Sequence, residues 1–252
     1  MNATDPKQGE REYYARLGRE AIDHSLNKPF SDDQCSFNLA NLTAIFQLLP
    51  PPPARIVELG CGVGWIGHLL ARRGYDVLGV DIAPEAIVAA NARSTASDLT
   101  NARFVVADYE EFNGDAGFDA ALFYDSLHHA EDPELAMSCA YRALKTNGIL
   151  LTFEPGEGHH DSSRARELIE EFGVHENDMP AQRIAELGRR VGFRRRLYLP
   201  QPWEATRQIY RPGYFRAASP ADLIGRYLLG LSRMIRHLVL PRRNQRFVAL
   251  WK

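Results

Sequence analysis

The chain has 252 residues, 45% hydrophobic and 25% charged, and a formal net charge of −2. That length buries one sizeable core. Three scattered cysteines (Cys35, Cys61 and Cys139) supply neither a disulfide framework nor a metal spacing, so a reducing, cytoplasmic setting is expected. No uninterrupted apolar run reaches the roughly eighteen residues that a spanning helix needs, and the polar stretch 1–20 does not read as a signal peptide. The small net charge hides an asymmetry. From Arg183 to Lys252 there are 16 Lys plus Arg against three acids, a net of +13, which leaves −15 on residues 1–182. The C-terminal part therefore faces either an anionic partner or the acidic remainder of its own fold.

In chain order, 12–23 reads as a helix with Tyr13, Tyr14, Leu17 and Ile22 available for packing. A turn at 27–31 leads to a second helix from Asp32 or Asp33, with Phe37, Leu42, Ile45 and Leu49 on its apolar face. Pro50 to Pro53 stop it. Strands are expected at 55–59, 76–80, 103–106, 118–124 and 149–154, separated by helices at 64–73, 84–97 and 133–145. Two further helices at 162–172 and 181–191 precede a strand at 193–199, and a last strand covers 244–251. Alternation of this kind predicts a doubly wound α/β fold with helices on both faces of a mostly parallel sheet. All the C-terminal strand ends then share one rim, and that rim collects Glu58, Asp81, Asp108, Asp125 and Glu154.

One stretch organises the rest: Ile56-Val57-Glu58-Leu59-Gly60-Cys61-Gly62-Val63-Gly64-Trp65-Ile66-Gly67. A short apolar strand ends in a carboxylate, alternating glycines follow, and an apolar helical pattern begins. Such a turn lets a ligand approach the backbone and aims helix N–H groups at it. Two ligand types fit the pattern. Residues 62–67 match G-x-G-x-x-G literally, and Asp81 follows at the spacing of a ribose-binding acid, as in dinucleotide sites. Glu58, two residues before the first glycine, disfavours a pyrophosphate and favours a ligand carrying a positive charge.

The string Val57-Glu58-Leu59-Gly60-Cys61-Gly62-Val63-Gly64 resembles the first motif of the class I S-adenosylmethionine methyltransferases. The resemblance implies a seven-stranded Rossmann-like sheet with the sixth and seventh strands pairing antiparallel at its edge. It implies S-adenosyl-L-methionine as cofactor, with Glu58, Gly60, Cys61, Gly62, Gly64 and Trp65 around the methionine end. Asp81 and Ile82 would hold the ribose, Asp108 and Tyr109 the adenine, and Asp125 the border with the acceptor. It divides the chain into an N-terminal helical cover (1–53), the α/β core (54–199), a helical insertion (200–244) and the last core strand (245–252).

Glu154-Pro155-Gly156-Glu157-Gly158-His159, together with the segment from Phe172 through Glu176 to Met179 and Gly192-Phe193, resembles methyltransferases associated with polysaccharide and sugar modification. That points to O-methylation of a saccharide or another small hydroxylated metabolite. A hydroxyl acceptor needs a base, and His159, His128 and His129 are the candidates, His159 foremost. The neighbours His159, His160 and Asp161 do not make a convincing Mg²⁺ set, so no metal is expected. Tyr124-Asp125-Ser126-Leu127 lacks the Asn/Asp-Pro-Pro-Tyr-like string of base-methylating enzymes. Two alternatives stay open: a non-catalytic protein that binds the same cofactor, and an NAD(P)-dependent oxidoreductase, for which no suitable Tyr-x-x-x-Lys pair exists.

The insertion carries a helix over 220–240 with Leu223, Ile224, Tyr227, Leu228, Leu231, Met234, Ile235 and Leu238 at helical spacing and Arg226, Arg233, Arg236 and His237 mostly opposite. It reads either as a helix docked by its apolar stripe or as a surface at 220–243 for anionic lipid or a lipid-linked, anionic saccharide. Without an accompanying RNA-binding module, nucleic acid ranks lower.

Overall fold

The computed structural model describes residues 6–210, 216–239 and 247–252. Seven strands form one sheet: β1 (Arg55–Leu59), β2 (Asp76–Asp81), β3 (Ala102–Val106), β4 (Phe118–Tyr124), β5 (Leu144–Phe153), β6 (Arg195–Leu199) and β7 (Phe247–Trp251). Their order is β3-β2-β1-β4-β5-β7-β6, with β7 antiparallel to both its neighbours and the pairs from β3 to β5 parallel. This is the doubly wound, seven-stranded class I arrangement expected from the sequence.

The central strands are apolar almost without interruption because both their faces are covered. On one face, Leu42 and Ile45 of α2 (Cys35–Leu48) and Ile66 and Leu70 of α3 (Trp65–Arg72) pack with Ile56, Leu122 and Leu151. Ile87 and Ala90 of α4 (Pro84–Ala96) join the same cluster. On the other face, Ala136, Met137 and Ala140 of α5 (Pro133–Ala143) meet Ile184 and Leu187 of α7 (Ala181–Val191) over Val57, Ala121 and Leu150. Gly62 and Gly64 turn the chain between β1 and α3 in left-handed conformations. The edge strand β6 presents exposed Arg195 and Arg196, which protect its open side from pairing.

Several element bounds differ from the sequence reading for local reasons. The first helix, α1 (Gln8–Leu26), is longer than 12–23 and is broken at Gly18, whose backbone leaves the helical region (φ 79°, ψ 179°). Helix α5 stops at Ala143 and β5 starts at once, five residues before the expected Ile149. Leu144 pairs with Phe118, and the register then jumps so that Ala120 faces Ile149, making residues 145–148 a bulge with Asn147 at φ 65°. A 3₁₀ turn at Leu127–His129 was not anticipated. Helix α6 (Ser163–Phe172) ends at Gly173 in the left-handed form, and the Arg16 guanidinium donates to the Glu171 and Phe172 carbonyls there, tying α1 to α6.

The insertion holds α8 (Pro202–Ile209) and α9 (Pro220–Val239). Helix α8 packs on α2, and α9 packs chiefly on α8. The docked-stripe reading of α9 is therefore corrected. Ile224, Tyr227, Leu228, Leu229, Leu231 and Ile235 are about half exposed or more, because the helix leans on one short neighbour rather than on the sheet. Tyr214, Phe215, Arg242, Arg243 and the expected strand start at Asn244 lie outside the described residues. Among the described residues no helix is long and apolar enough to cross a membrane.

One packing detail explains two glycines. The Phe104 ring on β3 lies against Gly64, at the start of α3, and Gly79 of β2, where any Cβ would overlap it. Gly79→Ala should cost about 2 kcal/mol of unfolding free energy by overpacking. Adding Phe104→Leu should recover part of that loss, so the double variant is more stable than the sum of the two single changes; denaturant melts of all four proteins measure the coupling.

Candidate functional site

The rim above β1, β2 and β4 opens into a crevice of about 550 Å³. Of the residues singled out from sequence, Glu58, Gly60, Cys61, Gly62, Trp65, Asp81, Ile82, Asp108, Tyr109, Asp125, His129 and His159 border it. Gly64 and His128 do not. Gly64 instead starts α3 beneath the crevice, in a left-handed conformation.

The glycine loop is pinned from below. The N–H groups of Gly60 and Cys61 both donate to the Val80 carbonyl, and the Gly62 N–H donates to Asp81 Oδ2 at 2.7 Å. Asp81 Oδ1 accepts the Ala83 N–H at 2.9 Å, so this carboxylate shapes the start of α4 as well as facing the crevice. Burial pushes the Asp81 pKa up, against the two amides that favour its charge. A Cβ on Gly60 would meet Ser126 Cβ at 2.5 Å, so glycine is required where two rim loops touch.

Glu58 is only 2% exposed. It accepts the Gly67 N–H, but its Oε2 has no hydrogen-bond partner. Burial, with a smaller contribution from Asp81, pushes its pKa up to about 8. A buried carboxylate oxygen left unpaired is costly on its own and is a ready acceptor for an ammonium group.

Asp108 receives Lys7 Nζ at 2.7 Å and the Glu110 N–H at 2.9 Å. Lys7 also reaches Glu110 at 2.8 Å, so the entry to α1 is clamped across the Asp108 end of the crevice. Burial disfavours the Lys7 charge, yet the two carboxylates hold its pKa above the ordinary value. Tyr109 donates its hydroxyl to the Ser126 carbonyl at 3.0 Å. Tyr14 of α1 brings its hydroxyl over Gly62, close enough that a Cβ there would overlap it. Sequence reasoning gave Lys7 and Tyr14 no role at the site, because nothing local shows α1 folding back over a loop some fifty residues away.

Burial corrects two expectations at the rim. Glu154 turns inward and is fully buried. Its carboxylate accepts the Ser126, Leu127 and His128 N–H groups and His128 Nδ1 at 2.8 Å, fixing the 3₁₀ turn. His128 is buried beneath the crevice, and desolvation drives its pKa down to about 3, so it stays neutral and does not meet an acceptor directly. His129 does border the crevice. Burial opposes its charge, but Glu10 and Glu176 outweigh this and push its pKa up to about 10. A histidine that holds its proton at neutral pH is not a base there.

His159 keeps the arrangement a base requires. Its Nε2 lies 2.6 Å from Glu176 Oε2, and the ring is partly exposed at the crevice. The Glu176-Asn177-Asp178 segment holds this loop. Asp178 accepts the Gly158 and His160 N–H groups at 2.8 Å each, and His160 Nδ1 pairs with the Glu176 carbonyl at 2.9 Å. Among the described residues, His128, His129 and Glu176 each place one potential ligand atom within 4.8 Å of the other two. The acceptor side of the crevice is aromatic. Phe37 of α2, Trp65, Tyr124 and Phe153 line it, with Tyr124 stacked on Phe153 and its hydroxyl held between Asn38 and Asn41.

Residues 57–152 match the family described as methyltransferase domain, and the strand order is that of the class I methyltransferase fold. A ubiquinone biosynthesis O-methyltransferase from Xylella fastidiosa is 30% identical over 129 residues, half of this chain and half of that protein. An S-adenosyl-L-methionine-dependent Diels-Alderase from Talaromyces variabilis is 34% identical over 102 residues, 39% of this chain and 35% of that protein. The matched part thus spans half or less of either relative. The solved phosphoethanolamine N-methyltransferase 2 of Haemonchus contortus, in complex with S-adenosyl-L-methionine, superposes with a TM-score of 0.64 at 18% identity, over 100% of this chain and 60% of that one.

S-adenosyl-L-methionine is the cofactor that this domain and fold indicate, and the residues present fit it. The orphaned Glu58 oxygen suits its ammonium, and Asp81 has acceptor capacity left for ribose hydroxyls.

Because Glu58 titrates near 8 in the folded chain and near 4.5 unfolded, folding disfavours its charge. The penalty opens above pH 4.5, grows to pH 8, and amounts to roughly 3 kcal/mol at pH 7. Glu58→Gln should therefore raise the ligand-free melting temperature at pH 7 and flatten its fall between pH 5 and 8, while weakening S-adenosylhomocysteine binding at least tenfold. Scanning calorimetry and titration calorimetry on the same two proteins check both halves.

Proposed function

We propose that the chain is an S-adenosyl-L-methionine-dependent methyltransferase acting on oxygen of a saccharide or another small hydroxylated metabolite. The observation that carries this reading is the unpartnered Glu58 carboxylate oxygen in a crevice that also presents Asp81 and Asp108. A dinucleotide would bring a pyrophosphate to the same loop, against the buried or half-buried carboxylates of Glu58, Asp81 and Asp108. The cofactor has its own leaving group, so transfer is an in-line displacement that needs alignment and dryness more than acid–base power. For a hydroxyl acceptor, His159 takes the proton while Glu176 orients its ring and stabilises the imidazolium. The aromatic wall of Phe37, Tyr124 and Phe153 suits the apolar face of a sugar or another ring. The exposed apolar side of α9 supports a lipid-linked acceptor or peripheral contact with an anionic membrane.

A second reading keeps the cofactor and drops the transfer. It is favoured by the relative whose name describes a cofactor-dependent cyclisation rather than a methylation. Labelled methyl transfer separates the two. Asp81→Ala should lower S-adenosylhomocysteine affinity by at least tenfold, and His159→Ala should lower kcat by at least a hundredfold with cofactor affinity unchanged. Persistent absence of turnover over a panel of hydroxylated acceptors, with tight cofactor binding, would favour the second reading; tighter binding of NAD than of S-adenosylmethionine would overturn both.

A further inference from the structure

The groups behind the crevice form a second constellation. His128, His129, Glu176, Glu154, Glu10 and the His175 carbonyl converge where the 3₁₀ turn Leu127–His129 meets the segment after α6. His128 Nδ1 lies 2.8 Å from Glu154 Oε2, which leaves Nε2 as the atom its ring offers. That Nε2 sits 3.5 Å from Glu176 Oε2. His129 is held in a similar way. Its Nδ1 donates to the His175 carbonyl at 2.6 Å, so Nε2 is the atom it offers once an incoming ion displaces the second ring proton. The two imidazole rings lie with centroids 3.9 Å apart.

We propose that His128, His129 and Glu176 bind a divalent transition-metal ion of the zinc class at the wall of the crevice. Two imidazoles and one carboxylate suit such an ion better than Mg²⁺, which takes oxygen ligands. The ligand atoms lie within 4.8 Å of one another, so metal bonds of about 2.0–2.2 Å require them to draw closer around the ion. What separates this cluster from a chance gathering is its support. Each histidine is clamped through its other nitrogen, one by a carboxylate and one by a backbone carbonyl, as metal-binding histidines are. Glu176 is clamped by His159 at 2.6 Å. Glu10 and Glu154 add negative charge around the set, with Glu10 Oε1 3.5 Å from His129 Nδ1. Adjacent positions His128 and His129 converge because the tight 3₁₀ turn, held by three N–H bonds to Glu154, draws their rings together.

The site lies next to the proposed transfer centre, since His129 borders the same crevice as His159. Three protein ligands leave a further position for an oxygen. Only this last role rests on the methyl-transfer reading: an acceptor hydroxyl bound there would lose its proton to His159 as its oxygen takes the methyl carbon and the carbon–sulfur pair returns to sulfur.

The test needs no acceptor. Full-length protein, stripped with a chelator, is titrated with Zn²⁺ by calorimetry and with Co²⁺ in the visible spectrum, alongside S-adenosylhomocysteine. One equivalent of Zn²⁺ with micromolar or tighter affinity is expected, and a Co²⁺ spectrum of low coordination number. Affinity should fall at least tenfold in His128→Asn and in Glu176→Gln, and stay unchanged in the control His24→Ala. Should His128→Asn fail to fold, Glu176→Gln, checked by circular dichroism, decides. Substoichiometric Zn²⁺, or binding indifferent to both substitutions, would overturn the metal site. S-adenosylhomocysteine binding without Zn²⁺ removes the metal alone; Zn²⁺ binding without S-adenosylhomocysteine leaves the metal site standing and removes the cofactor reading.

Discussion

A carboxylate buried at the end of β1 with one oxygen unpaired is the constraint around which this molecule is arranged. Glu58 is tolerated because the rest of the rim is built to receive a cation beside it. Gly67 donates one backbone N–H to it, Gly60 and Gly62 border the same crevice, and Asp81 adds a second negative group. An apolar residue at position 58 would pack more cheaply in the ligand-free chain. Stability is given up at the point where a positively charged ligand repays it, which is the ordinary relation between a binding site and its fold.

Two buried carboxylates on this rim do opposite things, and environment alone separates them. Glu58 meets one amide and keeps an oxygen free, whereas Glu154 meets three amides and a histidine and has nothing left to offer. Glu154 is thereby a scaffold for the turn that carries His128 and His129. Glu176 and Asp178 perform the corresponding work for the His159 loop, one through its side chain and the other through backbone N–H groups.

The N-terminal helices connect this rim to the rest. Lys7 clamps Asp108 and Glu110, Tyr14 closes over Gly62, and Glu10 accepts the His175 N–H while standing beside His129. The entry to this helix and its first half therefore touch Asp108 and Glu110, the glycine turn and the histidine cluster. Its break at Gly18 lets the first half follow the crevice while Ile22 and Leu26 pack against Val63, Ala83 and Ala86. The insertion behaves differently, with α9 leaving much of its apolar side uncovered.

The alternation of apolar strands and amphipathic helices, the glycine turn after Glu58 and the acids at strand ends are local in sequence. They sufficed to establish the class I architecture and to collect most of the crevice residues, because hydrophobic period and turn chemistry are set within a few residues. The roles of Glu154 and His128 were not legible in that way. Whether a strand-end acid faces ligand or turns inward depends on which N–H groups another loop brings to it. Nor could the pattern of α9 reveal that much of its described stripe stays half exposed, since periodicity records what a helix could bury and not what lies opposite. Lys7 and Tyr14 act across long separations that no spacing rule encodes. Sequence by itself determined the sheet and its nucleotide turn; the tertiary structure decided which charged groups are sealed, which are paired and which remain open, because desolvation and partner geometry exist only once distant segments have met.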